Sequence, residues 1–93
     1  MARYLTQHSL ACLTRQGAEG LARRMQTGNP MKTGETARAS RVLVNMVEGK
    51  MIAEFEAATR EALEAWLTSE KMHYDWIVRI EWELRNGKLE PAE

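Results

Sequence analysis

The feature that most constrains this chain is a pair of alternating segments joined by a short turn. Residues 41–47, RVLVNMV, are rich in β-branched and long apolar side chains, and Glu48-Gly49 supplies a turn. Residues 50–56 then alternate: Met51, Ala53 and Phe55 face one way, and Lys50, Ile52, Glu54 and Glu56 the other. A two-stranded hairpin is marginal in water by itself. The rest of the chain must therefore supply a layer that covers its apolar face.

The flanking segments have the periodicities to do so. Residues 3–9 alternate as a first strand, with Tyr4, Thr6 and His8 on one face and Leu5, Gln7 and Ser9 on the other. Thr14 is placed to cap a helix whose Ala18, Leu21, Ala22 and Met25 recur at helical spacing. Gly17 and Gly20 interrupt it, as points of weakness or of close approach to a sheet. Thr59 caps a second helix carrying Ala62, Leu63, Trp66 and Leu67 on one stripe. From Trp76 to Leu84 the alternation returns: Val78, Ile80, Trp82 and Leu84 make an apolar face, with Ile77, Arg79, Glu81 and Glu83 opposite. Trp66 and Trp82 are expected in the core. Residues 26–40 carry no pattern, and Lys32-Thr33 lacks the glycines of a phosphate-binding loop.

The order β-α-β-β-α-β predicts an α+β chain: a ferredoxin-like two-layer sandwich with the first strand between the third and the last. One domain spans residues 1–87, and residues 88–93 read as a C-terminal tail. Composition agrees with one small domain. The 93 residues carry 13 Lys plus Arg and 13 Asp plus Glu, so no net charge drives binding to nucleic acid or an anionic membrane. The balance conceals a basic first half and an acidic second half, which this topology interleaves. One cysteine excludes an internal disulfide, and no signal peptide or membrane span is visible, so a cytoplasmic protein is expected.

The same topology brings the end of the first strand, the hairpin turn and the loop before the last strand to one edge. That edge collects His8, Cys12, Glu48, His73, Tyr74 and Asp75. Imidazole, thiolate and carboxylate together are the ingredients of a transition-metal site, here His8, Cys12, Glu48 and His73 with nickel or zinc as the cofactor. His8 near Asp75 or Tyr74 would also suit a general base. Tyr74, Asp75 and Trp76, with Arg79 on the sheet face turned away from the helices, are the candidate ligand contacts.

RYLTQHSLACLT, the VNMVEGKMIAEFEA hairpin, the TREALEAWL helix and MHYDWIVRIEWE together resemble small bacterial proteins of the DUF4242 (nickel-binding-like) group, of the dimeric α+β barrel class. The resemblance spans most of residues 3–83. It implies a homodimer with sheets packed face to face and, in some members, bound nickel; among the candidate ligands it carries over His8 alone. The expected function is that of a small homodimer binding a ligand or divalent metal near His8. The alternatives are a cofactor-free isomerase- or monooxygenase-like enzyme of the same class and a non-catalytic accessory subunit of a larger complex.

Overall fold

A computed structural model describes residues 1–11, 14–31 and 36–92. Strand β1 (Ala2–Ser9) leads to helix α1 (Arg15–Thr27), then β2 (Ala37–Asn45), β3 (Lys50–Ala57), helix α2 (Arg60–Ser69) and β4 (Trp76–Arg79). A separate hairpin of β5 (Trp82–Arg85) and β6 (Lys88–Pro91) follows. The main sheet has the order β2-β3-β1-β4 and all its described pairings are antiparallel. The chain is thus α+β, with β1 between β3 and β4.

Local chemistry accounts for the helix starts. The hydroxyl oxygens of Thr14 and Thr59 accept from the backbone N–H groups of Gly17 and Ala62 at 3.1 and 3.0 Å, satisfying a first-turn donor in each helix. Helix α1 ends at Gly28, whose φ of 61° lets its N–H donate to the Arg24 carbonyl. A side chain there would also strike the Ala37 carbonyl, 2.7 Å from an added Cβ, so α1 can turn into β2 only with glycine at this point.

Both helices bury their stripes against one face of the sheet. That face presents Tyr4, Thr6 and His8 from β1, Ala37 and Ala39 from β2, Met51, Ala53, Phe55 and Ala57 from β3, and Ile77 from β4. Alanines at the helix contacts let the two layers approach closely, and Trp66 fills the middle. Its ring tilts 58° against Phe55 with centroids 5.9 Å apart, and its indole N–H donates to the Asn29 carbonyl at 2.7 Å.

Three expectations need correction. β2 starts at Ala37 rather than Arg41, because Ala37 and Ala39 pair with Ala57 and Phe55; the register then shifts between Ala39 and Arg41. Small side chains hid this part of the strand, and Val47 belongs to the turn. The run 76–84 is not one strand. It breaks at Ile80–Glu81, and its second half pairs with Lys88–Pro91, expected as tail, around an Asn86-Gly87 turn whose two residues both have positive φ. Finally, the faces of the last strand are reversed. Ile77 lies beside Thr6 in the core, while Val78 is 52% exposed and Trp82, expected in the core, 57% exposed.

Gly20 lies mid-helix with nothing within 4 Å of an added Cβ, so it does not serve close packing on the sheet. Gly20→Ala should stabilise the fold by about 1 kcal/mol. Thermal melting should show this as a rise of about 4–8 °C.

Candidate functional site

The reversal of β4 determines what the uncovered face of the sheet looks like. Read across the strands, one row runs Arg41, Glu54, Leu5, Val78, and the next Leu43, Ile52, Gln7, Trp76. Leu5, Leu43, Ile52, Val78 and Trp76 thereby form an apolar band on the face opposite the helices. Arg3 closes one end of the band. Its guanidinium donates to Glu54 at 2.9 Å and to Glu83 at 3.1 Å, tying the root of the β5–β6 hairpin to the sheet. The bond from Arg3, then that from Arg85, holds the Glu83 carboxyl below the usual carboxylate range.

At the other end stands a polar cluster built on Asp75. The Gln7 amide donates to Asp75 Oδ2 at 3.1 Å and the Ser9 hydroxyl at 2.9 Å, while Lys50 Nζ donates to Ser9 Oγ at 3.1 Å. These bonds, Gln7's foremost, hold the Asp75 carboxyl below its ordinary value. The backbone N–H of Asp75 donates to the Gln7 carbonyl, extending the β1–β4 ladder and fixing the cluster's position. Gln7, Ser9 and Lys50 were not among the expected site residues. The signal for them is that alternate residues of a strand share a face, so all three lie on the side away from the helices.

His8 sits on the opposite side of β1, in the core, and is 1% exposed. Its Nδ1 lies 2.7 Å from the His73 carbonyl oxygen and its Nε2 2.8 Å from the Thr6 hydroxyl. A carbonyl can only accept, so Nδ1 carries the proton and Nε2 accepts from Thr6. Burial depresses the His8 pKa, more strongly than the His73 bond and the Asp75 charge raise it, and the ring is therefore neutral.

Of the described residues, His8, Glu48, His73, Tyr74 and Asp75 share an edge but not a single pocket. His73 reaches His8 through its backbone carbonyl, while its side chain is exposed. Glu48 accepts from the Asn45 side-chain amide at 3.1 Å within its own turn. A metal at His8 would have to displace a partner the ring already has. Among the described residues no group of three or more His, Cys, Asp or Glu could hold a metal ion, and Cys12 lies outside those residues. Asp75 and Trp76 lie on or beside the uncovered face. Tyr74 instead packs against the core, its hydroxyl donating to Glu64 at 3.4 Å. Arg79 pairs with Tyr4 on the helix side, contrary to its expected place on the open face.

With this geometry described, comparison with protein-family models, with curated proteins and with solved structures gave no match. Among the described residues, no helix is long and apolar enough to cross a membrane.

The buried histidine predicts a pH dependence with a definite sign. Its folded pKa lies below the ordinary 6.5, so its contribution is present above that pH and is lost as pH falls through the folded value. Asp75 and Glu83 act in the same direction, but only below the ordinary carboxylate values of 3.8 and 4.5. Urea midpoints should therefore fall between pH 7 and pH 5 in the wild type. His8→Gln should remove most of that slope while lowering stability at pH 7 by about 1–3 kcal/mol, because the His73 carbonyl loses its buried donor.

Proposed function

We propose that the protein works as a homodimer of ferredoxin-like protomers whose uncovered sheet faces pack together as a dimeric α+β barrel, enclosing a small ligand. One observation carries this reading. The chain's most regular apolar alternation, through Trp76, Val78 and Ile80, lies on the face that the helices leave bare. An apolar band without a cover is the mark of an interface or a binding surface. The arrangement of the face supports self-association: both signs of charge surround the band, as a two-fold interface that meets itself requires. Arg38 and Arg41 on β2 form no ion pair among the described residues, and acidic groups follow β4 directly, Glu81 next to it and Glu83 tied to Arg3 of β1. A two-fold axis along the strands would bring each set to the other's partner.

The ligand in this reading is a small molecule with an apolar body that rests on Leu5, Ile52 and Trp76. Its polar groups would meet Gln7, Ser9, Lys50 and Asp75, which offer donors and an acceptor within one cluster. Nickel or zinc belongs to the reading only where His8 exchanges the Thr6 hydroxyl for the metal. Metal analysis of the purified protein decides the point: stoichiometric metal that is lost in His8→Gln supports it, and metal-free wild type removes it.

The dimer is tested by light scattering on a sizing column. The wild type should have twice the 10.6 kDa chain mass, and the doubly substituted Leu43→Glu, Val78→Glu protein should be a folded monomer. A wild type that remains monomeric at micromolar concentration would sink the proposal.

A further inference from the structure

On the helix side of the sheet, away from the proposed dimer face, a cavity of about 400 Å³ opens between β1, β4 and the start of α2. Tyr4, Thr59, Arg60, Glu61 and Arg79 line it. Its volume is in the range of small-molecule sites, roughly 300–1,000 Å³.

Tyr4 is the unusual member. The residue is 3% exposed, yet its hydroxyl makes no hydrogen bond with any described residue. Among the described residues no buried side-chain polar atom lacks a partner, so this hydroxyl reaches solvent, and the cavity that Tyr4 lines is where it emerges. A buried ring has thus been positioned with its one polar atom unpaired in a pocket.

The surroundings define what would pair with it. Thr59 takes the Ala62 N–H, which leaves the Arg60 and Glu61 N–H groups at the positive end of α2 without an acceptor in the helix. Arg60 is held in place, donating from Nε to Glu64 and from Nη1 to the Ile77 carbonyl, both at 3.2 Å. Arg79, engaged by a contact of its own, adds a second guanidinium. The Arg60 guanidinium has five N–H donors, so its two bonds leave donors over. Glu61 brings one negative charge to the same wall, and the ion pair of Arg60 sets the Glu64 carboxylate beside it.

We infer that this cavity is a binding site for a small organic molecule anchored by one carboxylate group, recognised by the Tyr4 hydroxyl, the Arg60 and Arg79 guanidiniums and the first amides of α2. Donors dominate, which requires an acceptor-rich group. Glu61 in the wall and Glu64 beside Arg60 repel a second negative charge, which favours a monoanion over a phosphate dianion, and the volume leaves room for an organic body behind the carboxylate. The site does not depend on the dimer or on the ligand proposed for the open face.

Amide NMR titration of the full chain tests this, with benzoate as the probe, benzyl alcohol as its neutral counterpart and inorganic phosphate as the dianion. Benzoate should give saturable shifts at the Arg60 and Glu61 amides. Tyr4→Phe removes a hydroxyl without a partner, so it should melt like the wild type and weaken benzoate by about three- to tenfold. Arg79→Gln should weaken it by about tenfold or more. Should Arg79→Gln fail to fold, the Tyr4→Phe result stands alone. Shifts that do not saturate, equal binding of benzyl alcohol, tighter binding of phosphate, or an unchanged benzoate affinity in Tyr4→Phe would each overturn the assignment.

Discussion

The structure depends on how β1 satisfies its polar residues inside the core. Thr6 and His8 lie on the face that the helices cover, and a buried donor or acceptor without a partner costs about 1–3 kcal/mol. The Thr6 hydroxyl, the imidazole and the His73 carbonyl form a closed chain of hydrogen bonds that removes this cost. The chain works only if the segment after α2 passes the end of β1 at the level of His8. That places Asp75 against Gln7 and sets the register of β4, with Ile77 beside Thr6. Once the register is set, every side chain of β4 is assigned to a face.

That assignment leads to the functional proposals. With Ile77 inward, Trp76 and Val78 must face outward, where they join Leu5, Leu43 and Ile52. Arg79, two residues beyond Ile77, falls on the helix side, opposite Tyr4 and beside the start of α2. A slip of one residue would have buried Val78, exposed Ile77 and moved Arg79 to the open face. The apolar band and the cavity beside Tyr4 are thus two consequences of one pairing. Asp75, at the head of the same strand, organises Ser9, Lys50 and Gln7 at the end of the band.

Much of the fold was legible along the chain. Thr14 and Thr59 cap the helices that follow, Trp66 and Leu67 occupy the stripe their spacing indicated, and the hairpin of β2 and β3 turns at Glu48-Gly49. The start of β2 was not legible, because Ala37 and Ala39 have little strand preference of their own and are recruited by Phe55 and Ala57. The closing hairpin did leave a signal in Asn86-Gly87 between two short extended runs. In the candidate site, the edge that gathers His8, Glu48, His73 and Asp75 could be read from connectivity. That the imidazole bonds to the His73 carbonyl and the Thr6 hydroxyl rather than to the side chains of Glu48, His73 or Asp75 could not, since connectivity does not say which atoms face inward.

The sequence by itself determined both helices, the first strand and the central β2–β3 hairpin, and which residues share a face in each, because periodicity and capping are local properties of the chain. Only the tertiary structure decided which face of the last strand is the core. An alternating strand has two faces, and either can be apolar for reasons that lie outside the protomer. The choice was made by the pairing of Ile77 with Thr6 and by the bond of the buried His8 to the His73 carbonyl, contacts between segments 65 or more residues apart.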